Sequence, residues 1–281
     1  MKFISFATAQ SNGFGAQVDD RVIDLGGRLG LADLGEALRR HGLDKLRNLA
    51  SQHTGDFSIE QITAYRPVVA DAGKIFCVGL NYDAHVKETN RERTAQPVLF
   101  LRLAESQVGH GQPIILPPES RKLDYEGEIA VVIGKKGRRI PEDKAFQHIA
   151  GFACYNDASV RDWQTHTSQW TPGKNFEGTG GFGPCLVDTS EVGENEVLTL
   201  ETRLNGQVMQ HATTDMLIFS IPELVHYIST FITLQPGDVI VTGTPGGVGA
   251  KREPPVFMKD GDLVEIEVSK LGVLKNPVRA E

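Results

Sequence analysis

The stretch LDYEGEIAVVIG, residues 123–134, combines a core strand with a concentration of acidic side chains. Successive side chains of a strand point to opposite faces, so Asp124, Glu126 and Glu128 share one face, while Ile129, Val131 and Ile133 continue the other. Burying such carboxylates unpaired costs several kcal/mol or more. A hard divalent cation would remove their repulsion, because such ions prefer oxygen ligands. The pattern predicts either a metal site or a solvated acidic strand face, and it leaves Asp124 open as a ligand.

Strand patterns dominate the chain around this stretch. Apolar runs typical of strands recur from residue 74 onward: KIFCVGL, PVLFLRL, EIAVVIG, HIAGFACYND, LTLETRLNG, DVIVTG and LVEIEVSKLGVL. Helical patterns are fewer and cover residues 83–93, 141–146, 158–167 and 216–231. The strands lie too close together for a regular alternation of strand and helix. The sequence therefore predicts a mixed, largely antiparallel, β-rich domain rather than a doubly wound sheet.

Residues 1–70 form a smaller predicted module. FISFA and FGAQVDDRVIDL indicate strands, the latter a hairpin that turns at Asp19 and Asp20. LADLGEALRR has leucines spaced for a short amphipathic helix. The composition changes near Pro67, so we predict a domain boundary at about residue 70.

Composition excludes several classes of partner. The 281 residues are 40% hydrophobic and 23% charged, as in ordinary soluble proteins, and 29 Lys+Arg against 36 Asp+Glu give a net charge of −7. No basic stripe is present, so nucleic acid and anionic membranes are not expected partners. No apolar run approaches the roughly 18 residues that span a bilayer. The N-terminus reads as a strand rather than a signal peptide, and three widely spaced cysteines suggest free thiols, so we expect a cytoplasmic protein.

A third acid strengthens the case for a metal. The apolar strand HIAGFACYND ends at Asp157, directly before the helical pattern ASVRDWQTH. Asp157 could simply cap that helix, or it could face a site at the end of the strand. With Glu126 and Glu128 it would complete a three-carboxylate set for an octahedral ion, with positions left for water or substrate.

The segment GLNYDAHVKET supplies a candidate acid–base pair. His85 and Glu88 are three residues apart, so they share a face if the segment is helical. A carboxylate beside an imidazole orients the ring and raises its basicity, as general-base catalysis requires. The alternative is a surface histidine with a fortuitous neighbour.

Two glycine-rich runs invite comparison with nucleotide-binding loops. TPGKNFEGTGGFGP contains the spacing GxGxxG, but a strand-like piece rather than a helix follows it, so we reject a dinucleotide site. Lys174 at its start is either a site residue or a plain surface charge. TGTPGGVG, residues 242–249, lacks the GK[ST] of a phosphate loop, but it supplies a sharp turn and the hydroxyl of Thr244.

Taken in order, these motifs resemble the fumarylacetoacetate hydrolase family. The resemblance covers residues 74–281 and rests on VGLNYDAHVKE, YEGEIAVVIG, GFACYNDASVRDWQ, GKNFEG, QPGDVIVTGTPGGVG and LVEIEVSKLGVLKNPV. It implies an α+β, β-rich fold with a mixed β-roll catalytic domain at 71–281, preceded by a small α+β N-terminal domain at 1–70. It also implies a homodimer or larger homo-oligomer and a bound Mg²⁺ or Mn²⁺.

The resemblance also implies roles for nine residues. Glu126, Glu128 and Asp157 match the metal ligands, and His85 and Glu88 match a catalytic dyad on a lid-like segment. Lys174 matches a catalytic position, and Gln164, Arg161 and Thr244 match substrate-contacting positions. The family pattern demotes Asp124 to a role at the rim of the site. Arg102 stands where many relatives carry a lysine, and we expect this change to bear on the distal end of the substrate.

The chemistry implied is that of a metal-bound 2-oxo acid. We expect a hydrolase that cleaves the C3–C4 bond of a 2,4-dioxo acid, an acylpyruvate or a diketo-deoxy sugar acid, to pyruvate and a second carboxylic acid. The alternatives on the same site are an oxaloacetate-type decarboxylase and a hydroxymuconate-type isomerase. Two other classes remain less favoured: a nucleotide-dependent oxidoreductase, which would need a strand–helix–strand context, and a non-catalytic protein that retains the fold.

Overall fold

The computed structural model describes residues 1–281. The N-terminal part contains five strands and two helices: β1 (Lys2–Ala7), β2 (Asn12–Val18), β3 (Arg21–Asp24), α1 (Leu25–Leu29), α2 (Leu34–Ser51), β4 (Phe57–Ser58) and β5 (Ala64–Tyr65), with a 3₁₀ turn at Ile59–Gln61. Helix α2 is broken at Gly42, whose φ of 73° suits glycine. The hairpin between β2 and β3 turns at Asp19 and Asp20, as predicted.

The larger part begins with strands that surround the acidic stretch. In order these are β6 (Ile75–Gly79), α3 (Asp83–Glu88), β7 (Val98–Arg102), β8 (Gln107–Val108), β9 (Ile114–Leu116), β10 (Leu123–Asp124), β11 (Gly127–Ile133), β12 (Ile149–Asp157), β13 (Ser159–Val160), α4 (Arg161–Gln164) and α5 (Thr171–Lys174). Two 3₁₀ helices lie at Ala104–Ser106 and Glu142–His148.

The chain ends with a second group of strands around one longer helix. These are β14 (Gly180–Asp188), β15 (Thr199–Leu204), β16 (Gln207–Thr213), α6 (Ile221–Phe231), β17 (Val239–Val241), β18 (Leu263–Val268) and β19 (Gly272–Ala280), with 3₁₀ turns at Thr214–Met216 and Gly249–Lys251. No helix is both long enough and apolar enough to cross a membrane.

Two mixed sheets build the molecule. The 12-stranded sheet runs β4-β3-β2-β1-β14-β12-β11-β17-β6-β7, with β5 beside β1 and β8 beside β14. The five-stranded sheet runs β16-β15-β18-β19-β9, and β10 pairs only with β13. Most pairs are antiparallel, whereas β17–β6, β14–β8 and β19–β9 are parallel. This arrangement confirms the predicted α+β, β-rich fold class.

The N-terminal strands continue the large sheet. Strand β1 pairs with β14, with Lys2 opposite Val187 and Phe3 opposite Leu186. Arg47 of α2 reinforces the junction, because it donates hydrogen bonds of 2.5 Å to each carboxylate oxygen of the buried Asp188. The domain boundary at about residue 70 stays a prediction, and one continuous sheet spans it.

Strand β11 is buried on both faces, which explains its continuous apolar sequence. Ile129, Val131 and Ile133 pack in the core between the two sheets. Ala130 and Val132 pack in a second core, beneath the N-terminal helices. Glu128 shares the parity of this second set, so it leaves the strand on the face opposite the five-stranded sheet.

Several predicted helices are shorter in the structure. Helix α3 ends at Glu88 rather than near residue 93, because Asn90 adopts a left-handed conformation with φ of 55°. The amides of Asn90 and Arg91 bond back to the carbonyls of Lys87 and Val86, which is a Schellman termination. Within 158–167 only residues 161–164 are helical. The rejected GxGxxG run lies largely in β14, and no helix follows it.

Candidate active site

Adjacent strands bring the three predicted metal ligands together. Glu126 precedes β11, Glu128 lies within it, and Asp157 ends the neighbouring β12, where Gly127 is opposite Asn156. Their carboxylate oxygens lie within 4.8 Å of one another, and all three side chains are buried. Asp157 does not cap α4, because its two oxygens accept hydrogen bonds from Arg102 and Lys174.

The acidic triad is electrostatically strained. Burial, together with the nearby charges of Asp157 and Glu126, raises the pKa of Glu128 well above its ordinary value. Glu128 has no cationic partner and accepts one hydrogen bond, of 2.5 Å from the Gly243 amide. Burial also disfavours the charge on Glu126, but Arg161 and Lys174 outweigh it and lower the pKa of that carboxyl. Oxygen donors that are crowded and partly unneutralised fit a hard divalent cation.

Lys174 is a site residue rather than a surface charge. It ends the short helix α5 with 2% of its surface exposed, and its Nζ lies 2.6 Å from both Glu126 Oε2 and Asp157 Oδ2. Burial disfavours its ammonium group, but the carboxylates of Asp157 and Glu126 prevail and raise the lysine pKa. Lys174 is therefore a fixed positive charge beside two of the acids.

Arg102 corrects one expectation. We expected it near the distal end of the substrate, but it is buried behind Asp157 and does not line the cavity described below. Its Nη1 donates to Asp157 Oδ1 at 2.6 Å, and its Nη2 donates to Thr179 Oγ1 at 2.7 Å. Arg102 holds one oxygen of Asp157 in place, so that the other faces Lys174. The position of this arginine within the apolar run PVLFLRL was the feature of the sequence that could have predicted its burial.

The dyad forms as its spacing predicts. His85 and Glu88 lie on α3, and His85 Nδ1 is 2.6 Å from Glu88 Oε1. The other oxygen of Glu88 accepts a hydrogen bond of 2.8 Å from the Gly247 amide. An ionised carboxylate only accepts hydrogen bonds, so the proton of the neutral imidazole sits on Nδ1. Nε2 is then free to act as a base, and the His85 side chain lines the cavity.

Asp124 lies outside the acidic triad and binds neighbouring backbone instead. The parity argument assumed one continuous strand, but the chain leaves the ladder between β10 and β11. The Asp124 carboxylate instead accepts hydrogen bonds from the amides of Gly249 and Ala250, at 2.8 and 2.9 Å, and from Arg161 Nε at 2.9 Å. It ties the loop after β17 to helix α4.

Arg161 and Gln164 form one wall of the site. Arg161 Nη1 donates to Gln164 Oε1 at 3.0 Å. Its Nη2 lies 2.7 Å from Glu126 Oε1, but the contact lacks hydrogen-bond geometry, so this buried nitrogen has no hydrogen-bond partner. A guanidinium nitrogen that has an ion-pair contact with the acidic triad but no hydrogen bond is suited to a substrate carboxylate.

Thr244 lies in the loop that follows β17. Its hydroxyl donates to the Gly127 carbonyl at 3.1 Å and accepts a hydrogen bond of 2.8 Å from Gln210 Nε2. The hydroxyl proton is already used in the hydrogen bond to Gly127, so Thr244 can only accept a hydrogen bond from a ligand. The neighbouring Gly243, with φ of 105°, turns the loop so that its amide reaches Glu128.

One cavity of about 260 Å³ unites these groups. Eight of the nine predicted site residues line it, and the ninth, Glu88, stands behind His85. Sequence reasoning missed other lining residues, including Arg91, Phe100, Trp170 and Lys251. These four residues are hard to predict as lining residues from sequence, because single aromatic or basic residues in loops are common.

The family assignment follows from the sequence comparison. The family model "Fumarylacetoacetate (FAA) hydrolase C-terminal" matches residues 74–279. This chain belongs to the fumarylacetoacetate hydrolase family. The predicted resemblance is therefore confirmed, and so is the expectation that the site belongs to a family of enzymes.

Individual relatives differ in their stated activities. The chain is 44% identical over 220 residues to the mitochondrial oxaloacetate tautomerase FAHD2A of Bos taurus, which covers 78% of this chain and 70% of the relative. It resembles a probable 2-hydroxyhepta-2,4-diene-1,7-dioate isomerase from Mycobacterium abscessus, with a TM-score of 0.83 at 31% identity over 100% and 99% of the two chains. A maleylpyruvate hydrolase from Sphingobium sp. SYK-6, in complex with manganese(II) and pyruvate, gives 0.82 at 26% identity over the same shares.

The activities named for these relatives bear on which of the expected reactions is favoured. The relative that is 44% identical is a tautomerase and another is an isomerase, so the comparisons favour the alternatives over the expected C3–C4 hydrolase. The manganese in the hydrolase complex agrees with a divalent-metal site at the acidic triad. The homo-oligomer and the cytoplasmic location stay predictions, and the tautomerase is mitochondrial by name.

Proposed function

We propose that this protein is a divalent-metal-dependent tautomerase that interconverts the enol and keto forms of a small 2-oxo diacid of the oxaloacetate type. One observation supports this most directly: the free Nε2 of His85 shares a cavity with the acidic triad and with Lys174. A proton acceptor thus stands beside a site for a chelated 2-oxo acid.

The acidic triad would hold the metal. Glu126, Glu128 and Asp157 offer oxygen donors for Mg²⁺ or Mn²⁺, and a dication would offset the burial and the repulsion that together raise the pKa of Glu128. When bound, the ion supplies Lewis-acid stabilisation of negative charge on the oxygen at C2. Lys174 and Arg161 add fixed positive charge at the same end of the cavity, where Nη2 of Arg161, which is in ion-pair contact with Glu126 but makes no hydrogen bond, can bind the C1 carboxylate.

The reaction needs one proton donor and acceptor and no co-reactant. Conversion of the enol to the ketone moves one proton from the hydroxyl on C2 to C3. The neutral imidazole of His85 takes the hydroxyl proton on Nε2 and returns it to C3, so atoms and charges balance and the enzyme is regenerated. Glu88 stabilises the transient imidazolium, because its carboxylate lies 2.6 Å from Nδ1. The Gly247 amide holds Glu88 in this position.

The size of the cavity favours a short substrate. At about 260 Å³ it lies below the roughly 300–1,000 Å³ of pockets for drug-sized ligands. Hydrolysis of a 2,4-dioxo acid remains the second candidate, because Nε2 of His85 could equally take a proton from water and because one structural relative is a maleylpyruvate hydrolase. That reaction needs room for a water molecule as well as a longer substrate.

The proposal is tested by following the ultraviolet absorbance of enol-oxaloacetate with Mg²⁺ or Mn²⁺. We expect wild-type protein to accelerate its loss, and His85→Gln to reduce kcat by about 10²–10⁴-fold, the usual contribution of a general acid–base. His41→Gln is the matched control, because His41 is exposed in the N-terminal part and makes no side-chain hydrogen bond.

Product analysis separates the alternatives. Release of CO₂ from oxaloacetate would identify a decarboxylase, and release of pyruvate from an acylpyruvate would identify a hydrolase. The tautomerase proposal is wrong if the metal-loaded protein does not exceed the rate in buffer, or if His85→Gln retains full activity.

A further inference from the structure

The cavity has a buried floor and an exposed mouth. At the floor lie the acidic triad, Lys174 and His85, each buried. At the mouth lie Arg91 and Lys251, which are exposed but still line the cavity. The floor is occupied by the groups that would bind the 2-oxo acid end of a substrate, so the mouth faces its other end.

The cations at the two ends differ in their partners. Lys174 and Arg161 form ion pairs of 2.6–2.9 Å with the buried carboxylates of Glu126, Asp157 and Asp124. Neither Arg91 nor Lys251 has an acidic side chain within ion-pair distance, and neither side chain makes a hydrogen bond within the protein. Two cations without acidic partners thus stand where a substrate enters.

An aromatic wall fixes Arg91 relative to the floor. The Arg91 guanidinium lies 5.2 Å from the centre of the Trp170 ring. Trp170 packs edge to face on Phe100, with the two ring centres 5.4 Å apart. The centre of the Phe100 ring in turn lies 4.8 Å from Lys174 Nζ. Gly79 makes room for this wall, because a Cβ there would lie 2.4 Å from Trp170 Cζ3. The two rings thus link the mouth cation to the floor cation.

The backbones of both mouth residues are anchored to the catalytic groups. Arg91 ends the Schellman termination of α3, the helix that carries His85. Lys251 directly follows Gly249 and Ala250, whose amides are bound by Asp124. The mouth cations are therefore placed by the same elements that place the dyad and Arg161.

From this arrangement we propose that Arg91 and Lys251 form a subsite for the distal carboxylate of the substrate. The inference rests on the proposed function and deepens it: the two cations select 2-oxo diacids over 2-oxo monoacids. Arg91 is the stronger determinant, because a guanidinium binds a carboxylate through two parallel hydrogen bonds and the Trp170 ring restricts its orientation.

The experiment compares oxaloacetate with its C4 monomethyl ester, which keeps the carbon chain and removes the distal charge. We measure kcat and KM for enol–keto conversion, and equilibrium binding by calorimetry with Mn²⁺, for wild type, Arg91→Gln, Lys251→Gln and the double variant. Arg93→Gln is the matched control, because Arg93 is exposed in the same loop but lines a different cavity.

We expect Arg91→Gln to raise KM for oxaloacetate about tenfold with kcat within about twofold, and the double variant to raise it further. KM for the ester should change in none of the three variants, and Arg93→Gln should match wild type. Equal weakening of both ligands, or no weakening of either, overturns the subsite. If wild type converts no oxaloacetate but the binding contrast persists, the tautomerase proposal is wrong and the subsite stands. If wild type converts oxaloacetate but the variants bind the diacid and the ester with unchanged preference, the subsite is wrong and the tautomerase proposal stands.

Discussion

Gly127 separates the two glutamates of the triad, and its substitution tests how the site is supported. A Cβ at this position would lie 2.0 Å from Thr202 Oγ1 and 3.1 Å from Ile266 Cδ1. Thr202 is fully buried on β15, and β15 is hydrogen-bonded to a strand on each side. The backbone of Thr202 is held on both sides and its side chain is enclosed, so Gly127→Ala should strain the contact between the two sheets.

The expected loss in the free energy of unfolding lies at the upper end of the range for overpacking substitutions. Insertion of one extra methyl into a packed core costs about 1–3 kcal/mol, and the contact here is more than 1 Å shorter than an ordinary one. We expect about 3 kcal/mol, which lowers Tm by roughly 6–10 °C in a chain of this size. The substitution should also weaken Mn²⁺ binding, because Glu126 and Glu128 flank the displaced backbone.

A second substitution isolates the cause. The Thr202 hydroxyl has no hydrogen-bond partner, so Thr202→Ala removes bulk at the loss of about 1 kcal/mol of apolar burial. Gly127→Ala with Thr202→Ala should recover most of the lost Tm and Mn²⁺ affinity. Gly127→Ala with Thr202→Val, which keeps the bulk, should recover neither. Thermal unfolding with and without Mn²⁺ checks this; a stable Gly127→Ala, or equal recovery with alanine and valine, would refute the packing argument.

Two further predictions concern buried charge. Glu128→Gln should leave the Tm of the metal-free protein unchanged or higher, because the uncharged amide removes repulsion from Asp157 and Glu126, and it should abolish the rise in Tm with Mn²⁺; a large loss of Tm without metal would contradict this. Arg47→Met should cost about 2 kcal/mol at neutral pH by leaving buried Asp188 without its ion-pair partner. Arg47 and the Ser190 amide overcome burial and lower the pKa of Asp188, so the pair stabilises above the ordinary value of 3.8. Urea unfolding of wild type and variant should therefore converge as the pH falls below 3.8, and a difference that persists in acid would exclude this origin.

Local patterns predicted much of the fold and part of the site. The parity of residues 127–133 predicted the faces of β11, because side-chain direction in a continuous strand depends only on position along the chain. The spacing of His85 and Glu88 predicted their contact, because one helical turn brings them together. Helix ends were less predictable, since the left-handed Asn90 that stops α3 has no strong signal.

The amino-acid sequence by itself determined the β-rich architecture, the triad of acids and the dyad, because each depends on residues that are close in the chain or on motifs that keep their order. Only the tertiary structure decided which charges neutralise the triad and what Asp124 does. Lys174 and Arg102 reach Asp157 from segments remote in sequence. The alternation of side chains could not distinguish Asp124 from a ligand, because it holds only within a continuous strand. The chain leaves the strand ladder between β10 and β11, and Asp124 accepts hydrogen bonds from Arg161 and from the loop that carries Lys251.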